Sequence, residues 1–329
     1  MIAISAAEKT LLDLVQQDMP LRADPFAEIG TACGLSEADT IDKIRALVEA
    51  GLIREISAIF DAAKIGYKST LVAAQVGPAA MDTLSARING HPGVSHNYLR
   101  DYAYNMWFTL TIARKEEFRT VIDELLDNEP ISYLILPAIR VFKIRMQLDL
   151  SGGPARSDAV HTVPSGPAED GDLSSSDRAL VVALQDGIEI QSNPWQKPAD
   201  SLGITVQELF SGIGDLKRSG ALRRISAVLR HRKAGFTANG MACFRIAENA
   251  VAAAGKKVAQ LRDVSHCYQR QTRPGWEYTL FAMVHGRSRE YTDSAITEMA
   301  RQIDCSDYLV LYSERELKKE RVKYFREWS

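Results

Sequence analysis

Apolar positions along the chain predict its elements in order. Residues 7–17, AEKTLLDLVQQ, carry apolar side chains at 11, 12, 14 and 15, the stripe of an amphipathic helix. Residues 24–53, DPFAEIGTACGLSEADTIDKIRALVEAGLI, predict a helix, a turn at Gly34-Leu35-Ser36, and a second helix capped by Ser36 and stopped by Gly51. That is helix-turn-helix spacing. The alternating IREISAIFD that follows predicts the strand of a wing. Strand, helix, strand, strand, helix and strand then fall near 70–76, 79–89, 94–100, 105–113, 115–127 and 132–137. KEEFRTVIDELLD is amphipathic at helical spacing and NMWFTLTIA is β-branched and aromatic. This order predicts a ferredoxin-like α+β sandwich.

The pattern then repeats. GLIREISAIFDAAKIGY (51–67) matches GALRRISAVLRHRKAGF (220–236), and YLILPAIRVFK (133–143) matches YLVLYSERELK (308–318), the offset growing from 169 to 175 residues. DSLGITVQELFSGIGDLKRSGALRRISAVLR repeats the helix-turn-helix, with Thr205 as its cap and with Gly212 and Gly214 weakening the second helix by about 1 kcal/mol each. Between the copies, half of residues 151–176 are Gly, Pro or Ser, which reads as an exposed linker. The predicted fold class is therefore α+β with two homologous halves. Winged helix-turn-helix units span 1–67 and 177–236, ferredoxin-like domains 68–150 and 237–329, and a flexible linker 151–176. Two such halves imply an approximate two-fold, a dimer interface built into one chain.

Composition narrows function. The chain has 329 residues with a net charge of −2, so nothing in its balance suggests a nucleic-acid or polybasic membrane surface. It shows no apolar run of about 18 residues, hence no expected membrane span. Its start does not read as a signal or transit peptide. Cys33, Cys243, Cys267 and Cys305 form no C-x-x-C pair, which fits a reducing cytoplasm and argues against zinc or a disulfide framework.

The strongest motif is written twice. VSHNYLRDYAYNMWFTL (94–110) and VSHCYQRQTRPGWEYTLFAMVHG (264–286) share V-S-H-x-Y-x-R. On a strand, His96, Tyr98 and Arg100 share one face with Val94, and Ser95, Asn97 and Leu99 take the other; His266, Tyr268 and Arg270 repeat the row. Buried cations and imidazoles need partners, so two readings stand. One is a duplicated polar seam between the halves. The other is a site for an anionic ligand, with Arg gripping carboxylates and His exchanging a proton or ligating a metal. Tyr102, Tyr104, Trp107 and Phe108, then Trp276, Tyr278 and Phe281, suit a flat conjugated molecule, although Trp107 and Phe281 serve a sheet core equally well. His285 in HGRSRE is a candidate third histidine. His91, His161 and His231 receive no catalytic role.

The winged helix followed by a ferredoxin-like domain resembles the Lrp/AsnC transcription regulators. DNA binding does not follow from it. The segment 37–50 that would enter the groove carries Glu37, Asp39, Asp42 and Glu49 against Lys43 and Arg45, and 205–218 is neutral, so phosphate neutralisation is forfeited. The two V-S-H blocks are more specific. They are similar to the two subunit types of siroheme decarboxylases, an offshoot of Lrp/AsnC proteins, here in the fused NirDL form. The resemblance covers both halves but not the linker.

The resemblance implies loss of CO2 from the C12 and C18 acetates of siroheme, giving 12,18-didecarboxysiroheme on the way to heme d1 or, by an alternative route, heme. It implies no cofactor, the iron being carried by the siroheme substrate. For that reaction the residues themselves suggest His96, His266, Arg100 and Arg270 as catalytic, and Tyr98, Tyr268, Tyr102, Tyr104, Trp107, Arg273, Trp276 and Tyr278 as substrate-binding. Arg140 and Lys143 are further candidate cations. The halves are expected to pair with each other, a further homo-oligomer is compatible, and the expected location is cytoplasmic. Two departures stand out. Tyr102 occupies a position where the family commonly has histidine, and the usual W-P-Y-N reads Trp276-Glu277-Tyr278-Thr279. A catalytic role for that histidine would leave the first half's site weakened. A non-catalytic tetrapyrrole-binding module and a DNA-binding regulator are the alternatives.

Overall fold

The structure, a computed structural model, describes residues 6–127, 129–144, 161–162, 173–229 and 238–326. In chain order the first half runs α1 (Ala6–Val15), α2 (Pro25–Cys33), α3 (Glu37–Glu49), β1 (Ile53–Phe60), β2 (Tyr67–Ala74), α4 (Met81–Gly90), β3 (Val94–Arg100), β4 (Met106–Ala113), α5 (Phe118–Leu125) and β5 (Tyr133–Ile144). A short strand, β6 (His161–Thr162), intervenes. The second half runs α6 (Ser175–Gln185), α7 (Gln196–Leu202), α8 (Val206–Arg218), β7 (Leu222–Leu229), β8 (Ala238–Phe244), α9 (Glu248–Gln260), β9 (Val264–Arg270), β10 (Leu280–Gly286), α10 (Arg289–Gln302) and β11 (Tyr308–Lys319). No helix among the described residues is long and apolar enough to cross a membrane.

Two compact units result. One gathers α1–α3, α6–α8, β1 and β7; the other holds β2–β5, β8–β11, their helices and β6. In the helical unit both expected caps form. Ser36 Oγ accepts from Asp39 N–H at 3.1 Å, and Thr205 and Glu208 close a capping box. Gly212 has a packing reason absent from the sequence reading, since a Cβ there would lie 2.9 Å from Leu180 Cδ2 of α6.

The expected wing differs. β1 pairs with β7, its counterpart from the other half, in an antiparallel ladder with Ser57 opposite Ser226. Met19 N–H donates to the Ile225 carbonyl and Ile188 N–H to the Ile56 carbonyl, both at 2.7 Å, so each half's first helix-to-loop segment is tied to the other half's strand. A mostly buried strand gains a full ladder from its counterpart in the repeat, which a short wing hairpin cannot supply.

The sheet unit contains two ferredoxin-like domains, and each lends its last strand to the other. Residues 133–137 of β5 pair with β2, and from Ala138 onward the strand pairs with β9. Likewise β11 pairs with β8 over 308–312 and with β3 from Ser313. The pairings run β2-β4-β3-β11-β8-β10-β9-β5 and return to β2, closing a ring of eight strands. This explains why β5 runs seven residues beyond the predicted 137: Ala138–Ile144 is the exchanged part. Most of the expected linker, and His231, lie outside the described residues. Within it His161–Thr162 pairs with β5, and α6 already begins at Ser175.

Each ring face has its own core. Val72, Ala74, Val94, Met106, Phe108, Leu110 and Ile112 pack under α4 and α5 in the first half, and a matching cluster forms under α9 and α10. The helix-free face holds a third cluster drawn from both halves, including Ala73, Trp107, Leu136, Met241, Cys243, Trp276, Phe281 and Leu311. The candidate site lies on this helix-free face.

Candidate active site

The V-S-H motif folds with a kink that its alternation hides. On β3, Val94 pairs with Leu110 while His96 pairs with the adjacent Thr109, so Ser95 is a bulge. On β9, Val264 pairs with Val284 and His266 with Met283, so Ser265 bulges in the same way. The extra residue turns Val94 to the helix side, where it is fully buried in the core, and leaves His96, Tyr98 and Arg100 on the helix-free face. Val94 therefore does not share their face. The bulged serines instead meet the histidines: Ser95 Oγ is 3.0 Å from His96 Nδ1, and Ser265 Oγ is 2.8 Å from His266 Nδ1.

The rest of each row is nearly superimposable. The imidazole and phenol rings lie 6.2 Å apart and close to parallel in both copies, 28° and 19°. Each guanidinium then sits over its tyrosine, 5.6 Å for Arg100 on Tyr98 and 4.9 Å for Arg270 on Tyr268. β3 and β9 are four places apart in the ring of eight, so the rows stand on opposite staves.

Arg100 is buried and Arg270 is half-buried, with the Nε of each enclosed. Burial pulls each guanidinium down to about 10, which still leaves it charged at neutral pH. Their Nη1 atoms donate to carbonyls of the exchanged strands, Arg100 to Leu311 and Arg270 to Leu136, both at 2.6 Å. Among the described residues neither Nε has a hydrogen-bond partner. The Cys243 thiol lies within the field of both cations, while burial pushes it up to about 12.

The aromatic residues converge on Trp276. Its ring is 5.9 Å from Tyr102, 6.1 Å from Tyr104, 5.4 Å from Trp107 and 5.1 Å from Tyr278. Trp276 and Trp107 are each only 1% exposed, so they are core, whereas Tyr102 is 40% exposed and Tyr104 and Tyr278 are half-buried. Arg273 lies in the loop before Trp276 and donates to Thr272 O and Gln271 Oε1. Lys143, a candidate cation by sequence, is buried on the helix side and donates to the Leu261 carbonyl at 2.7 Å. Arg140 lies over the Phe142 ring. Among the described residues no three His, Cys, Asp or Glu side chains converge as a metal set.

Four residues around the rows have no role in the motif as read from sequence. Asn239 bonds His285, Glu316 reaches Tyr98 at 3.4 Å, and the bulged serines touch the histidines. Only the serines had a visible signal, since Ser precedes His in both copies.

The family model described as "AsnC-like ligand binding domain" matches residues 64–143 and 233–318, and that described as "Siroheme decarboxylase NirDL-like HTH domain" matches 8–54. The class is thus a duplicated AsnC-like ligand-binding protein. A siroheme decarboxylase from Hydrogenobacter thermophilus is 36% identical over 319 residues, covering 96% of this chain and 94% of that protein. A siroheme decarboxylase alpha subunit from Desulfovibrio desulfuricans is 41% identical over 143 residues, 44% of this chain and 83% of that subunit. The crystal structure of the siroheme decarboxylase NirDL in complex with an iron-uroporphyrin III analogue superposes with a TM-score of 0.77 at 31% identity, covering 97% of this chain and 95% of that one. The chain belongs to the siroheme decarboxylase family, in the two-in-one form in which both subunit types are fused.

Proposed function

We propose that this chain removes CO2 from the C12 and C18 acetate side chains of siroheme, giving 12,18-didecarboxysiroheme. The observation that carries the reading is the pair of His-Tyr-Arg rows, whose charged guanidiniums have their Nε atoms enclosed and, among the described residues, donate to main-chain carbonyls of the exchanged strands. Such a pair favours a polyanionic partner over an apolar one.

In each step the bond between the methylene carbon and its carboxylate breaks and CO2 leaves. The electron pair stays on the methylene carbon, delocalised into the macrocycle, until a proton converts it to methyl. One proton is consumed per CO2 lost. His96 or His266 delivers that proton, and Tyr98 and Tyr268 hold the imidazole plane by stacking. Arg100 and Arg270 act by their field on the carboxylates that are retained; on the departing carboxylate they would stabilise the ground state and slow the reaction. Tyr102, Tyr104 and Tyr278 offer ring surface around Trp276, with Trp107 behind it and Arg273 at the rim. The reading needs no cofactor beyond the substrate's own ring. The acidic α3 speaks against DNA as a partner, and four free cysteines suit a reducing cytoplasm.

The test is anaerobic incubation of the purified chain with siroheme, followed by product mass. Loss of two CO2 molecules is expected. Siroheme bound but unchanged would replace the enzyme with a binding module, and absence of binding would overturn the reading.

A further inference from the structure

The two motif copies differ in what stands behind the histidine. In the second half Ser265 Oγ lies 2.8 Å from His266 Nδ1 and 2.6 Å from His285 Nε2, and His285 Nδ1 lies 2.5 Å from Asn239 Oδ1. His285 and Asn239 are register partners on β10 and β8. The donor order follows from the far end. An amide oxygen only accepts, so His285 carries its hydrogen on Nδ1 and accepts at Nε2. The Ser265 hydroxyl donates there, in preference to the Met283 carbonyl at 3.4 Å, and its oxygen accepts from His266 Nδ1–H. Ser265 is buried with proton and lone pair both committed, so it transmits orientation and does not attack as a nucleophile.

Among the described residues the same positions of the first half hold no second histidine and no amide. The register partners in the same places are Thr111 and Ser69, whose hydroxyls bond each other at 2.7 Å. The strand beside each tyrosine differs too: β11 brings Glu316 to Tyr98, whereas β5 brings Val141 to Tyr268. A carboxylate beside the first row repels an anionic substrate, and an apolar side chain beside the second does not.

We propose that His285 is a positioning residue that holds His266, through Ser265, with Nδ1 as donor and Nε2 as the nitrogen that exchanges the proton, and that the second half is the proton-delivering site. This rests on the siroheme decarboxylase reading. His266 as imidazolium gives its Nε2 proton to the methylene carbon as CO2 departs, and solvent restores it.

The test uses the full chain with His285→Ala, His285→Gln and Thr111→Val, measuring siroheme affinity by its absorption change and turnover by product mass. For His285→Ala, kcat is expected to fall about 10- to 100-fold with affinity changed less than about twofold, as for other residues that orient a reacting ligand. Glutamine still accepts from Ser265 through its amide oxygen, so His285→Gln is expected to recover most of the rate. Thr111→Val is expected to keep the parent rate. Unchanged kcat in His285→Ala, parallel loss of binding and turnover, no rescue by glutamine, or an equal loss in Thr111→Val would each overturn the proposal. A parent chain that leaves siroheme intact would overturn the reading beneath it instead.

Discussion

Arg100 of the first half and Leu311 of the second are joined by a 2.6 Å hydrogen bond from Nη1 to the main-chain carbonyl, at the point where β11 leaves β8 for β3. Arg270 and Leu136 repeat it. The seam and ligand readings of the motif thus meet in one side chain. Arg100→Met strips the Leu311 carbonyl of its donor and should cost about 1–3 kcal/mol in urea unfolding. The same variant should weaken siroheme binding and flatten its salt dependence, read by titration at two ionic strengths.

The unequal support behind the two histidines predicts unequal variants. His266→Ala should lower kcat by about 10²- to 10⁴-fold, the usual worth of a positioned acid. His96→Ala should lower it by less than about tenfold by the same measure. Single-turnover product analysis separates them, and equal losses would make both rows working sites.

His91, given no catalytic role by its sequence context, carries a stability signal. It is buried, its Nδ1 accepts from Gly93 N–H at 3.0 Å, and burial, then the Lys318 charge, depress it from 6.5 to about 4. The unfolded chain takes up this proton near pH 6.5 and the folded chain only near 4, so the contribution is complete above 6.5 and drains away as pH falls towards 4. At most about 3 kcal/mol is at stake. His91→Gln keeps an acceptor for Gly93 and should flatten the fall of Tm between pH 6.5 and 4.

Gly255 on α9 faces Phe142 of the exchanged β5, and a Cβ there would lie 2.3 Å from the ring. Gly255→Ala should therefore cost about 1–3 kcal/mol by overpacking, although alanine is the better helix former. Pairing it with Phe142→Leu should recover part of the loss in a double-mutant cycle.

The local elements were legible because their signals are local. Ser36 and Thr205 cap the helices they were expected to cap, and the strand and helix order of each sandwich follows from apolar periodicity. What escaped was long-range. Nothing in IREISAIFD says that its ladder partner is its own repeat, and nothing in YLILPAIRVFK says where its partner changes. A bulge reverses alternation at one residue without changing composition, so strict alternation puts Val94 on the wrong face. Of the site, the His-Tyr-Arg rows could be read from sequence. Asn239 could not, because only register brings it to His285.

The exchange of final strands also orders events during synthesis. The outer edge of β3 is completed only by residues from Ser313 onward, more than two hundred residues downstream. While the ribosome makes the second half, the first domain waits with one edge of its sheet unpaired, open to strands of other chains. A gene carrying both copies in one frame keeps the correct strand tethered to that edge, so the right partner arrives at a high local concentration as soon as it emerges.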